Sequence, residues 1–378
     1  MSLKEPEFTL GVEEEYLLID LETRDLVTDP NAGFLEECSR RTDQHVSPEL
    51  MRSQIEIGTS VCPDVATARR EVKALRKVIS EVGEEHGYAP LAVSTHPFAN
   101  WLSQKQTAAA RYADLTQEMQ ANARRLLICG MHVHVGISDP EIRIDLMNQM
   151  SYFLPHLLAL SCSSPFWEGE DTGLSSYRLT VFDALPRTGL PPQFASYGEY
   201  ERHISILTAA EVIDEPSKIW WDLRPSAKFP TLETRIMDVC TNVEHAISLV
   251  ALNVCLLRML FRLRRDNQRW RLYSTMLIAE NRWRAMRYSC SEGMIDFAKG
   301  EIVPFRDLLE ELLGFLDEDA KALGCRDELF ALRQILDQGN SAVRQLKIYR
   351  DAKEAGSDTS QALHQTVDWL RAETIRHC

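Results

Sequence analysis

The sequence lacks the common devices for holding a phosphate or building a nucleophile. It has no GxxxxGK[ST] loop and no GxGxxG turn, which excludes a P-loop or Rossmann nucleotide site. The absence of a GxSxG elbow excludes the serine nucleophile of an α/β-hydrolase. Its nine cysteines are odd in number, scattered, and never arranged as CxxC, so zinc-finger readings fail. No apolar run reaches the roughly 18 residues of a membrane span. The longest, "AISLVALNVCLLRMLF", is interrupted by Arg258 and followed by "RLRR". The N-terminal stretch shows no signal-peptide pattern. Together these absences predict a reducing, cytoplasmic setting in which most cysteines are small core residues.

An excess of cationic residues is also missing. Lys and Arg number 42 against 56 Asp and Glu, a formal net charge of −14. That balance disfavours nonspecific binding to nucleic acid or to an anionic membrane. It leaves room for an anionic small molecule, because a bound cation or local arginines can reverse the field. With 378 residues, 44% of them hydrophobic, the chain can bury a large core.

The first 60 residues read as strand and turn: "FTLGVEEEYLLID" is one strand candidate and "MRSQIEIGTS" a second. Between Pro63 and Gly87 lies a helix capped by Asp64, with Val72, Leu75, Ile79 and Val82 as its apolar stripe. "YAPLAVSTHPF" returns as a strand, a helix follows near Thr107–Leu126, and "GMHVHVGI" is the next strand. "SDPE" opens a helix that runs to about Leu160. Residues 163–200 are rich in Gly, Pro and Ser, yet hold Trp167, Tyr177 and Phe194. So long an irregular stretch predicts a functional loop, read here as a lid. "IWWDLRPS" and "TLETRIMDVC" look like paired strands, and the chain from Val243 onward reads as almost wholly helical. The strands alternate polar and apolar residues, which favours an antiparallel sheet with helices on one face over a doubly wound parallel one.

Four of these strands share one feature. Glu13 and Glu15 fall on one face of the first, Gln54 and Glu56 on one face of the second, His132 and His134 on one face of the third, and Glu233 with Arg235 on one face of the fourth. Ordinary wet faces carry Lys, Thr and Ser as well. Crowded carboxylates repel one another and demand a counter-charge, which a divalent cation supplies. Mostly carboxylate oxygen with an imidazole suits Mg²⁺ or Mn²⁺ better than Zn²⁺. Such ions complete their shells with substrate phosphates, so this face is a candidate phosphate-handling site, with Arg178, Arg224 and Arg235 as candidate anion holders.

The ordered set "FTLGVEEEY", "IEIGTSVC", "STHPFANW", "GMHVHVG", "SSPFWEGEDTGLSSYR", "WWDLRPS", "TLETRIMD" and "ENRWRAMRYS" resembles the carboxylate–amine ligases of the glutamate–cysteine ligase type 2 group, within the glutamine-synthetase-like superfamily. The resemblance implies an α+β fold, a curved and mainly antiparallel sheet with helices on its outer face. It implies one ligase domain over residues 1–378, with 243–378 mostly helical. ATP and two or three Mg²⁺ or Mn²⁺ ions are the implied cofactors, and the implied substrates are glutamate and an amine such as cysteine, joined through a γ-glutamyl phosphate. A homodimer is implied as well. By the same resemblance Glu13, Glu15, Glu49, Glu56, His132 and Glu233 match the metal ligands. Arg235 and Arg224 match the arginines on the transferring phosphoryl group, and Arg178 with Tyr177 the grip on the amino-acid substrate. His134 is expected to reach the nucleotide or to support the metal's ligands. Two rival readings remain: a metal hydrolase built on the HxH strand, and a non-enzymatic protein that binds ATP and metal.

Overall fold

Four of the seven main strands carry the polar–apolar alternation that gives the sheet its two faces. In the computed structural model, which describes residues 4–378, the seven are β1 (Leu10–Asp20), β2 (Val46–Pro48), β3 (Gln54–Gly58), β4 (Tyr88–Leu91), β5 (Met131–Gly136), β6 (Leu223–Pro225) and β7 (Thr231–Thr234). Their order is β6-β7-β5-β1-β3-β2, and β4 joins β1 beyond the end of β5. Every pairing in this sheet is antiparallel. The α+β class with an antiparallel sheet is therefore the observed one.

Register separates the two faces. Val12 lies opposite Val133, Leu10 opposite Val135, and Leu232 opposite Val135 on the far side. Tyr16 faces Ile55, and Glu14 faces Met131 and Ile57. This apolar face is covered by α1 (Val65–Glu85), α2 (Pro140–Met150) and α3 (Val243–Arg265). Asp64 caps α1 by accepting from the Thr67 N–H, as its sequence predicts. The helix α3 is the one, among the described residues, long and apolar enough to cross a membrane by composition, and 83% of its most apolar window is buried in the protein. One cluster of buried apolar side chains runs from Phe8 to Leu370, joining both faces of the helical layer.

Glu14 is the exception on the apolar face, and it is matched. Its carboxylate and the Arg76 guanidinium from α1 are both fully buried, with Nη2–Oε1 at 2.7 Å and Nε–Oε2 at 2.9 Å. Tyr16 Oη donates to the same carboxylate. Arg76 spends its remaining donors on the carbonyls of Cys240, Thr241 and Thr374. One guanidinium thus fastens sheet, helix and the C-terminal helix Thr359–Thr374 together.

Three sequence expectations shift. The helix near Thr107–Leu126 is two, Ala110–Met119 and Ala121–Arg124, broken at Gln120 with φ of +50°. The helix opened by "SDPE" pauses at Ser151–Phe153 and restarts as Leu154–Ser161, because the ring and missing N–H of Pro155 cannot continue it. The helical C-terminal part is interrupted by a hairpin, Met294–Asp296 with Glu301–Val303.

Because Glu14 cannot be stranded without its cation, Arg76→Leu is expected to lower the unfolding free energy by about 3–5 kcal/mol. Urea denaturation of the two proteins measures it, and a change under about 1 kcal/mol would contradict the role given to this pair.

Candidate metal and nucleotide site

The opposite face of the same sheet gathers the residues singled out from the sequence. Glu15 lies directly across from Glu56 in the β1–β3 register. Glu13 faces His132 on one side and Gly58 on the other. His134 faces Glu233, which in turn faces Arg224. A bare glycine, Gly58, sits beside Glu13 with open space where a Cβ would stand. Period-two alternation in four strands, read through one antiparallel register, thus makes a single polar surface.

Two groups of potential ligand atoms form on it. Glu13, His134 and Glu233 bring one atom each within 4.8 Å of one another, and so do Glu15, Glu49 and Glu56. Five of the six expected ligands fall into these groups, with His134 in the place expected for His132. The His132 ring lies behind: its Nδ1 is 3.1 Å from Glu13 Oε2. His134 Nε2 is 3.3 Å from Glu13 Oε1 and has no hydrogen-bond partner, although it is buried. Its Nδ1 is 3.0 Å from Thr231 Oγ1. An imidazole steadied through one nitrogen with the other left bare is the usual posture of a metal ligand. The donor set, mostly carboxylate oxygen, fits a hard divalent cation such as Mg²⁺ or Mn²⁺.

Electrostatics distinguishes the two groups. Burial pushes the Glu13 carboxyl up, but the close His132 and His134 rings outweigh it and hold it well below the usual range. Glu233 is treated alike: burial raises it, and Arg235 and Arg224 bring it below the usual range. Arg224 Nε and Nη2 reach its two oxygens at 2.9 and 3.2 Å, and Arg235 donates to Oε1. In the second group, Glu15 and Glu56 move the other way. Burial and the Glu49 charge push Glu15 up to about 7, despite Arg178 and a Gly130 N–H at 2.6 Å. Burial, then the charges of Glu49, Glu13 and Glu15, carry Glu56 well above its ordinary value. Burial and the neighbouring Arg235 lower His132 to about 4.

Beside the second group opens a cavity of about 160 Å³ lined by Glu15, Glu49, His132, Arg178 and Arg235 together with apolar side chains. The Arg178 side chain is 3% exposed, and its Nη1 and Nη2 donate to the carbonyls of Ile236 and Arg235. Its Nε has no partner, and neither has Arg235 Nε. Room for this guanidinium comes from Gly130: a Cβ there would stand 2.3 Å from Arg178 Nη2. Tyr177 does not line the cavity; its ring packs on Trp167 at 5.3 Å between centroids.

The 163–200 stretch is strapped down where it carries Arg178. The buried Asp238 carboxylate accepts from Ser163 N–H, Ser164 Oγ and Ser176 Oγ at 2.8–2.9 Å. Ser175 and Ser176 N–H donate to the Met286 carbonyl on the helix α4 (Thr275–Tyr288). A freely opening lid over residues 163–178 does not fit these buried bonds. From α4, Arg282 reaches both Asp183 (2.7 Å) and Asp222 (2.7 Å). Asp183 follows the turn of helix that starts at Arg178, and the Asp222 carbonyl receives the Arg235 N–H at 2.8 Å. Arg282, in the "ENRWRAMRYS" motif, therefore fixes the two cavity arginines relative to each other. Sequence reading gave that motif no role, because its partners are 60 and 99 residues away.

The fold recurs in solved ligases. It resembles a bifunctional glutathione synthetase from Pasteurella multocida, with a TM-score of 0.69 at 16% identity, covering 98% of this chain and 53% of that one. It resembles equally a glutamate–cysteine ligase from Francisella tularensis in complex with AMP, with a TM-score of 0.68 at 13% identity, covering 99% and 91%. At such identities the likeness is one of fold. The family follows from sequence: the model of Glutamate-cysteine ligase family 2 matches residues 9–364, and the chain belongs to that family. Relatives named "Putative glutamate--cysteine ligase 2" are 53% identical over 377 residues in Rhodospirillum rubrum, covering 99% of this chain and 97% of that protein. The counterpart in Ruegeria pomeroyi is 54% identical over 357 residues, covering 94% and 93%.

The raised carboxyls generate a pH prediction. Glu15 keeps its proton in the folded protein between its ordinary value of 4.5 and about 7, so its contribution to stability is present at low pH and is lost as pH rises through 7. Buried His132, lowered to about 4, acts in the opposite sense only below pH 6.5. Glu15→Gln should therefore gain stability over the parent, by about 2–3 kcal/mol, as pH rises from 5 to 8 without divalent cation. Adding Mn²⁺ should remove the gain. Parallel melting curves would contradict the crowding of Glu15, Glu49 and Glu56.

Proposed function

We propose that this protein is an ATP-dependent carboxylate–amine ligase that activates the γ-carboxylate of glutamate as γ-glutamyl phosphate and passes it to an amine. Glutamate and cysteine are the pair that the relatives' names suggest. The observation that carries the reading is the pair of acidic groups lying side by side on one sheet face, with the buried Arg178 and the half-buried Arg224 and Arg235 around them. ATP and a carboxylate are both anions, and their approach needs cations on both sides.

Glu13, His134 and Glu233 would hold one divalent ion and Glu15, Glu49 and Glu56 another. Mg²⁺ or Mn²⁺, when bound, supplies neutralisation of the triphosphate and polarisation of its γ-phosphoryl group. His132 orients Glu13 through their 3.1 Å contact. Arg224 and Arg235 gather at Glu233, and the bare Nε of Arg235 is the donor left for the transferring group. The bonds balance simply. A γ-carboxylate oxygen takes the γ-phosphoryl group and ADP leaves. The amine nitrogen then bonds to the acyl carbon, the C–O bond to phosphate breaks, and inorganic phosphate departs. An ammonium acceptor loses two protons overall, one of which phosphate keeps. The acyl phosphate has to be kept from water, and the apolar side chains lining the cavity serve that end.

The HxH hydrolase reading needs further histidines at the site. His156 lies instead among Tyr152, Phe153 and Phe305, His245 is in the buried helix α3, and His203 is exposed. A reducing cytoplasmic setting and a homodimer belong to the same proposal. The first is supported by nine free cysteines, the second by exposed Met276 and Trp283, one heptad apart on α4.

Phosphate release from ATP should depend on glutamate, on Mg²⁺ or Mn²⁺, and on an added amine. Glu56→Gln and Glu233→Gln should each lower kcat by about a hundredfold or more while the protein stays folded. Full activity in either variant would remove that residue from the site. ATP binding without turnover across amino acids and amines would favour the non-enzymatic reading.

A further inference from the structure

The proposed ligase leaves its acceptor open, and the cavity beside Glu15 bears on it. One side is ionic: Glu15, Glu49 and the buried Arg178 with its unpartnered Nε. The other side is a wall of Leu115, Leu126, Ile128, Phe182, Leu185 and Trp220. This wall joins the main core, on which Leu115 and Leu126 also pack, to a small cluster of its own. Leu185 belongs to a satellite cluster with Met119 and Ala123, and Leu115, Leu126, Phe182 and Trp220 pack against it. The helix Ala110–Met119 supplies Leu115 and the turn of helix Arg178–Phe182 supplies Phe182, while Leu126, Ile128, Leu185 and Trp220 come from the segments between elements and from a short strand. Phe182 lies one turn after Arg178, whose guanidinium stands 5.6 Å from the ring centroid. The anion holder and the apolar wall are thus set side by side on one element.

An α-amino acid makes three demands on a site: a cation for its carboxylate, an anionic side for its amine, and a matching surface for its side chain. The cavity answers all three. Donor glutamate does not match it, because the apolar wall offers nothing to a γ-carboxylate. Cysteine matches it poorly. Its side chain is only two heavy atoms long and would leave most of the wall uncovered, and Cys129 lies buried in contact with Gln54.

We infer that the acceptor of this ligase is an α-amino acid with an apolar side chain larger than that of cysteine, its carboxylate on Arg178, its amine toward Glu15 and Glu49, and its side chain on the wall around Phe182 and Leu185. The inference rests on the ligase reading and specifies its second substrate. The transfer is the one already balanced, with the amine nitrogen bonding to the acyl carbon as phosphate leaves.

The test uses the full-length protein with ATP, Mg²⁺ and glutamate. Hydroxylamine, a small acceptor that needs no pocket, is supplied first and hydroxamate is measured. Leucine, phenylalanine, cysteine and alanine follow, with isoamylamine and phenethylamine as acceptors lacking a carboxylate, each product identified by mass. Leucine or phenylalanine is expected to exceed cysteine in kcat/KM by roughly tenfold or more, and both should exceed their decarboxylated analogues. Phe182→Ala should raise the KM of the favoured amino acid far more than that of glutamate. Leu185→Phe, which fills the wall, should turn preference toward alanine. Hydroxamate formation with cysteine as the best acceptor, or with the free amines equal to the amino acids, overturns the inference and leaves the ligase reading intact. No hydroxamate at all overturns both.

Discussion

Repulsion between carboxylates held face to face is the constraint on which this molecule turns. The antiparallel register of β1 and β3 sets Glu15 opposite Glu56, and like charges directly opposite across a ladder are destabilising. Among the described residues no lysine or arginine closes an ion pair with Glu15 or Glu56, as Arg224 and Arg235 do with Glu233 or Arg76 with Glu14, and the charges of Arg178 and Arg235 offset the burial of Glu15 only in part. These four carboxylates are treated differently according to which face and which neighbour they meet. The pair without an arginine partner is where an external cation has most to gain.

The rest of the fold serves to hold that face in place. On the apolar side, Arg76 joins β1 to α1 and to the last helix, so the strand carrying Glu13 and Glu15 is fixed from behind. On the polar side, the serine-rich segment around Asp238 and the Arg282 clamp hold Arg178 and Arg235 in place. Gly130 adds its N–H to Glu15 and its missing side chain to the seat of Arg178. Preorganised charge of this kind is what phosphoryl transfer asks of a protein.

The strands and their faces were legible in the sequence, because alternation with period two is a local property and each strand repeated it. So were the metal-ligand candidates, since Glu13, Glu15, Glu56, Glu233 and the two histidines all announce a polar face in an apolar context. The division of labour between His132 and His134 was not legible. Both point the same way, and only the pairing partner, Glu13 for one and Glu233 for the other, tells which nitrogen is left bare. Arg282, Gly58 and the apolar wall around Leu185 escaped for a related reason: each acts through residues distant in the chain. The break at Gln120 and the restart at Leu154 were lost because apolar periodicity runs on through both.

The most direct test of the account is anomalous X-ray diffraction from crystals grown with Mn²⁺ and a non-hydrolysable ATP analogue. The account predicts manganese peaks at two places, between Glu13, His134 and Glu233 and between Glu15, Glu49 and Glu56, with phosphate oxygens completing their shells. Manganese bound elsewhere, or an analogue bound with both carboxylate groups bare of metal, would contradict it.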